Sequence, residues 1–343
     1  MELIKNKSVL FERYQLYKIE NPKIRIREAA KELGVTEVDL VNCNERNIQL
    51  NADFEAILNE FKTLKEILAI TRNDNAVHER KGTYSKASIN KHIGLVANPD
   101  IDLRLFMTNW KYVYAVSENN RNSIQFFDKY GTAIHKVYLT EKSDTIAYQK
   151  LLDKYVNRYK EEVTVLPFEE DIKVEKPDKE IDVFGFRTAW QDLKDTHAFF
   201  PMLKKFKLSR LQALRLAPKG YSLQIPNKKV ESLMNLVSSL KLDIMVFVGN
   251  SNCLQIHTGP IEKIVRTGPW LNVLDPIFNL HLKDEAIDQV WIVKKPTDMG
   301  LVHSVEAFDK EGNLIIQFFG KRKPNIPESE DWRLVIQSLE NVV

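Results

Sequence analysis

His197 is the residue of this chain on which chemistry most naturally centres. It stands in WQDLKDTHAFFPMLKKF, which begins at Trp190, near the start of a predicted helix and just after Asp195 and Thr196, among aromatic and apolar neighbours. A neutral imidazole against an apolar wall is what a haem iron requires: one nitrogen ligand, with flat hydrophobic surface for the macrocycle. A lone histidine is more often a buried structural residue, so other groups must decide. Haem carries two carboxylates, which calls for a few fixed cations within an otherwise apolar lining. The candidates are Arg210, Arg215, Lys294 and Lys295. Arg210 follows Ser209, a predicted helix cap, and Lys295 ends the strand QVWIVKKP. Each also reads as a solvated helix or strand end.

Arg104 is different in kind. In DIDLRLF, a period of two sends Asp102, Arg104 and Phe106 to one face and Ile101, Leu103 and Leu105 to the other. An arginine there either pairs with Asp102 or projects toward a ligand. His78 and His257 fall opposite each other when AVHERKG is set against QIHTGPI. A structural role is the first expectation for that pair, and a second, weaker haem site at His78 is the sharper alternative. His135 and His281 read as strand residues with ordinary hydrogen bonds. No HxH, HExxH or carboxylate cluster suggests a zinc or di-iron site.

The elements that must position these residues recur. SIQFFDKYGTAIHKVYL (123–139) lines up with SVEAFDKEGNLIIQFFG (304–320), each a strand, an Asp-Lys-x-Gly turn and a strand. IDLRLF from Ile101 lines up with FNLHLK from Phe278, setting Arg104 opposite His281. Separate blocks keep offsets of 177 to 181 residues, so a duplication is the economical reading. Each copy opens with helices: IRIREAAKELGVTEVDLV is broken by Gly34 with Thr36 as the next cap, and THAFFPMLKKFKLSRLQALRL places Ser209 where Thr36 stood. The predicted fold is α+β, a tandem duplication of a unit with N-terminal helices followed by a large antiparallel β-sheet. The predicted boundaries are 1–160 for the N-terminal repeat, 161–182 for an acidic, proline-containing linker, and 183–343 for the C-terminal repeat with the main site.

Composition bounds the rest. A chain of 343 residues with 43 % hydrophobic content supplies two ordinary cores rather than one oversized one. A net charge of +3 gives no global reason to expect nucleic acid or a membrane surface. No stretch has the length of a signal-peptide core or a bilayer span. Cys43 and Cys253 form neither CxxC nor the CxxCH of covalent haem attachment, which suits a reducing compartment.

Several strings carry a family resemblance through both halves: AVHERKGTY, GLVANPDIDLRLF and SIQFFDKYGTAIHKVYL, then DTHAFFPML, IMVFVGN, GPWLNVLDPIFNLHL, KPTDMG and FFGKRKP. In order and over nearly the whole chain, the sequence resembles the haem-transport and haem-degrading proteins of the HemS/HmuS/ChuS type. The resemblance implies a cytoplasmic, bacterial, duplicated protein that holds one haem b beside its C-terminal sheet. It implies His197 as the proximal iron ligand and Arg104 as the distal group, with Arg210, Lys295 and Gln317 around the propionates and macrocycle edge. At Phe319 some members carry a tyrosine, so a hydroxyl available to them is missing here. The function implied is iron acquisition from imported haem, either by haem oxygenase-like degradation or by handing haem on as a non-catalytic carrier. In such chemistry His197 and Arg104 are the catalytic pair, and haem supplies the reactive centre.

The partners implied are an inner-membrane haem transporter and an electron-donating reductase; a homodimer stays open. No GxGxxG fingerprint for a nicotinamide or flavin is present, so binding ranks above turnover. The rival from another class is a helix-turn-helix DNA-binding regulator, because IREAAKELGVTEVDLV imitates that motif. Its second helix carries Glu37, Asp39 and Glu45 where phosphates would lie, so no nucleic-acid partner is expected.

Overall fold

The computed structural model describes residues 6–159, 162–167, 175–322 and 326–340. Part of the expected linker, at 161 and 168–174, lies outside the described residues. The chain divides into two compact units: unit one holds 1–72, 79–169 and 250–255, and unit two holds 73–78, 170–249 and 256–343. Each half of the sequence therefore gives a short segment to the other unit, which contiguous boundaries do not anticipate.

Both segments are anchored by an asparagine in the same way. In unit two, Asn73 Oδ1 accepts from the backbone N of Asn75 and Ala76, and its Nδ2 donates to the carbonyls of Gly249 (3.1 Å) and Ile315 (2.9 Å). In unit one, Asn250 Oδ1 accepts from Asn252 and Cys253, and its Nδ2 donates to the carbonyls of Arg72 and Ile134, both at 3.0 Å. Matching these turns corrects one alignment. Gln255 stands opposite His78, and Arg80 opposite His257. A slip of two residues preserves the face of a strand, which is why the histidines matched in sequence.

Unit one contains helices α1 (Lys7–Glu20), α2 (Ile26–Leu33), α3 (Glu37–Asn42), α4 (Phe54–Glu60) and α5 (Thr145–Tyr155). Its strands are β1 (Ile48–Gln49), β2 (Lys65–Arg72), β3 (Ala76–Thr83, entered from unit two), β4 (Ser88–Asn90), β5 (Ile93–Ala97), β6 (Asp102–Phe106), β7 (Trp110–Glu118), β8 (Arg121–Asp128) and β9 (Ala133–Ser143). Antiparallel pairing gives the order β1-β7-β8-β9-β2, with β4-β5-β6 as a second run. Gly34, at φ +68°, ends α2 in the left-handed region, and Thr36 caps α3 in a reciprocal box with Asp39.

The helix-turn-helix alternative fails here. Val38, Leu40 and Val41 of α3 are 0–1 % exposed, and buried Glu37 accepts from Ala133 N at 3.2 Å and pairs with Lys136 at 3.4 Å. A six-residue helix packed in this way has no basic face to enter a groove.

Unit two repeats the plan with α6 (Val183–Gln191), α7 (Phe199–Phe206), α8 (Arg210–Leu216), α9 (Lys229–Ser239) and α10 (Glu330–Glu340). Its strands are β10 (Ser222–Ile225), β11 (Ile244–Gly249), β12 (Cys253–Gly259, entered from unit one), β13 (Ile264–Thr267), β14 (Trp270–Leu274), β15 (Phe278–Leu282), β16 (Gln289–Thr297), β17 (Gly300–Phe308) and β18 (Leu314–Gly320). The order is β10-β16-β17-β18-β11, with β13-β14-β15 as the second run.

The duplication extends to irregularities. Both hairpins bulge at equivalent places, Phe126/Phe127 and Ala307/Phe308. Both turns are closed by an aspartate, Asp128 or Asp309, before a glycine at φ +79°. In unit two, α9 and α10 bury Leu233, Val237, Trp332 and Ile336 against one sheet face, with Ile292, Val305 and Phe318. Helices α6 to α8 cover part of the other face, chiefly over β16 and β17, through Phe186, Trp190 and Phe199 against Trp291, Val293 and Phe308. On that second face the positions of β18 and β11 are left half-covered: Phe319, Met245 and Phe247 are of intermediate burial.

Candidate functional site

The site begins at the corner that joins α6 to α7. Trp190, fully buried, donates from Nε1 to the Lys294 carbonyl at 3.0 Å and packs edge-on against Phe199 at 4.7 Å. These contacts pin the corner to β16 and push the intervening turn, Thr196–Ala198, outward. Asp195 caps this turn: its Oδ1 accepts from His197 N at 2.9 Å and also lies 2.7 Å from His197 Nδ1. Those bonds from His197, the backbone one foremost, hold the Asp195 carboxyl below its usual range, so it is ionised at neutral pH. A carboxylate can only accept, so Nδ1 carries the hydrogen and the Nε2 lone pair of the neutral ring is left to coordinate. The His197 side chain is 85 % exposed. It is therefore an oriented surface side chain rather than a core histidine.

Behind it lies a charged cluster in an aromatic frame. Ser209 caps α8, so Arg210 starts that helix and reaches across to β17. Its Nε and Nη2 donate to the two oxygens of Glu306 at 2.7 and 2.9 Å. Lys295 Nζ donates to the same carboxylate at 2.7 Å, and Ser304 Oγ donates to it at 2.9 Å. Glu306 is fully buried and Lys295 is 3 % exposed. Burial pushes the Glu306 carboxyl up, but Arg210 and Lys295 override it and hold the group well below the carboxylate range. Burial pushes Lys295 down to about 8, against the attraction of Glu306. Aromatic faces complete the frame: Phe199 lies 5.4 Å from Arg210 and 4.9 Å from Lys295, and Phe319 lies 5.4 Å from Lys295. Across the strands, Gln317 faces both Glu306 and Phe247, while Phe319 faces both Ser304 and Met245. Phe247 and Phe319 rest on each other at 4.8 Å.

Unit two thus brings His197, Arg210, Lys295, Gln317 and Phe319 onto the corner and sheet face just described. The other cations do not join them. Lys294 points to the opposite face and pairs with Glu340 of α10 at 2.8 Å, as alternation requires. Arg215 pairs with Glu175 at 2.8 Å. Lys295 corrects a surface reading of its strand, since β16 runs on to Thr297 and encloses it. Arg104, in unit one, makes the ion pair with Asp102 and also reaches the Leu103 carbonyl; its neighbours on that face, Leu95 and Phe106, are exposed.

His78 is fully buried beside Phe278 at 4.9 Å, and His257 stacks on the same ring at 3.8 Å. Both rings are thus enclosed on Phe278 rather than presented at a surface. His135 is also buried, between Tyr84 and Thr71, and burial pushes it down to about 3. His281 bonds to Asn272 at 2.6 Å. Among the described residues no group of His, Cys, Asp and Glu could hold a metal ion by itself.

Sequence reasoning missed Glu306 and Ser304, although period two in SVEAF already set both on one face with Phe308. It also left Asp195 without a role. An aspartate two residues before a histidine at a helix entry is an Asx-turn signal that would have found it.

The family model described as the haemin-degrading HemS.ChuX domain matches twice, at residues 34–155 and 207–339. The hemin transport protein HemS of Yersinia enterocolitica is 36 % identical over 342 residues, with 97 % of each chain covered. The crystal structure of holo-PhuS, a haem-binding protein from Pseudomonas aeruginosa, matches with a TM-score of 0.94 and 41 % identity, covering 97 % of this chain and 99 % of that one. The haem-degrading enzyme ChuS of Escherichia coli O157:H7 matches at 0.90 and 33 % identity, over 97 % and 99 % of the two chains.

Proposed function

The chain belongs to the haemin-degrading HemS family, and on that premise we propose that it binds haem b through His197 and either degrades it or passes it on, in the acquisition of iron. The observation that carries this reading is the exposed imidazole fixed by Asp195 beside the aromatic frame and the two cations of unit two. Asp195 keeps the hydrogen on Nδ1 and so directs Nε2 to the iron; a carboxylate behind a ligating histidine also raises its basicity. Phe319, Phe247 and Met245 offer the apolar surface a macrocycle requires, and Arg210 with Lys295 supplies positive charge for a propionate. In the same proposal Arg104 keeps the distal role that the family resemblance implies, in which a guanidinium would donate hydrogen bonds and stabilise negative charge. Degradation draws its electrons from an external reductase. The location proposed is the cytoplasm, with an inner-membrane haem transporter as the source; both cysteines are buried free thiols, and no described helix is long and apolar enough to cross a membrane.

Titrating purified protein with ferric haem tests the reading. A saturable Soret band at one equivalent, abolished or strongly shifted by His197→Ala, is the expected result. A band indifferent to that substitution overturns the assignment.

A further inference from the structure

Glu306 stands at a place where the fold itself does not need a charge. In unit one, hairpin register and helix caps set Gln125 opposite Glu306, Glu37 opposite Arg210 and Glu118 opposite Lys295. The same scaffold therefore forms without this triad. A buried ion cluster is a weak source of stability, because apolar residues of similar volume commonly serve as well. Retention of the cluster in unit two points to use.

We propose that Glu306 is a positioning residue, presenting Arg210 and Lys295 as a receptor for one carboxylate of an otherwise flat, apolar ligand. The proposal rests on the haem reading, in which Arg210 and Lys295 already meet a propionate, and adds Glu306 as the group that holds the two cations in place for it. Both Glu306 oxygens engage the Nε and Nη2 edge of Arg210, which fixes the guanidinium plane. The Nη1 edge is left for a ligand, on a side chain that is 22 % exposed while Glu306 is 0 % exposed.

Lys295 meets Glu306 and Ser304 from β17, Arg210 from α8, and the rings of Phe199 from α7 and Phe319 from β18. Glu306 is the one anion in that set. With glutamine there, only the repulsion of Arg210 remains, and the enclosed ammonium gives up its proton. Two cations and one carboxylate leave a single net positive charge. That charge matches one propionate, and the second stays in water.

The test compares ferric haem with its dimethyl ester, which keeps the iron and the ring but has no carboxylate. The unsubstituted protein is expected to prefer the diacid by about tenfold or more, as for a hydrogen-bonded charge. Glu306→Gln should reduce that preference to about threefold or less while both ligands still give the Soret band of His197 ligation. Diacid affinity should also fall as pH rises through about 8, with the ester flat, and this inflection should move to lower pH in Glu306→Gln. Should that variant not fold, Arg210→Lys keeps the charge without the fork and should show an intermediate preference. Equal binding of acid and ester by the unsubstituted protein overturns the proposal, as does full preference in the folded variants. Absence of any Soret band with either ligand overturns the haem reading itself, and the proposal with it.

Discussion

Replacing Asp195 by alanine removes the one group that sets which nitrogen of His197 faces outward. In the folded protein Asp195 Oδ1 takes two bonds from the same residue, at 2.9 Å from the backbone N and 2.7 Å from Nδ1. Loss of a partner behind a ligating histidine ordinarily costs 10- to 100-fold in affinity. Here the side chains are 62 % and 85 % exposed, so water replaces part of what is lost and the low end applies, about tenfold. Asp195→Asn keeps a neutral acceptor for both hydrogens and should lose only about threefold. The assay is a ferric haem titration with all variants at the same pH and ionic strength. Circular dichroism on both variants checks that the turn before α7 still forms. An alanine variant that binds as tightly as the unsubstituted protein would refute the reasoning, because then either the ring is not held by Asp195 or the ring is not the ligand.

Arg104→Ala should leave haem affinity within about twofold and slow degradation under a reductant by about tenfold or more, read from loss of the Soret band and released iron. An unchanged rate removes Arg104 from the chemistry. Glu306 has a folded pKa below its unfolded value of 4.5, so its stabilisation is fully present above about 4.5 and is lost as pH falls through the lower folded value. Urea midpoints from pH 7 to 3 should fall less steeply in Glu306→Gln, and a parallel acid limb contradicts this. Gly320→Ala places a Cβ 2.5 Å from Trp332 Cγ, and that indole cannot withdraw because it is fully buried and bonded to the His303 carbonyl at 3.1 Å. A loss of about 1–3 kcal/mol is expected by thermal unfolding, and an unchanged midpoint would show that α10 yields.

Much of the fold was legible because its markers are local. Gly34, Thr36 and Ser209 announce helix ends through backbone geometry that few residue types allow, and the Asp-Lys-x-Gly turns fix both hairpins. Arg210 was legible as a helix start in the same way, since it follows the cap Ser209. The exchange of 73–78 and 250–255 between units was not, because Asn73 and Asn250 act through carbonyls far away in sequence. Lys295 looked like a strand end, and its enclosure depends on Glu306 and Phe199 from other elements. Long-range charge pairing of that sort leaves no period to read.

Duplication explains why chemistry gathers in one copy. Counting back from the caps Thr36 and Ser209, helices α2 and α7 coincide turn for turn, each ending in a left-handed residue, Gly34 or Lys207. Ile24 then occupies the place of His197, and Glu37 that of Arg210. In unit one Glu37 bonds inward to Ala133 N and Lys136, while Tyr112 and Tyr114 join Val38 and Val41 in one packed cluster. The face that unit two leaves half-covered is bound up with charges of the opposite sign in unit one. An anionic ligand would meet carboxylates at the cationic positions there and Ile24 in place of the imidazole. The frame was therefore inherited twice, and at these equivalent positions unit two carries an imidazole and two cations where unit one carries Ile24, Glu37 and Glu118.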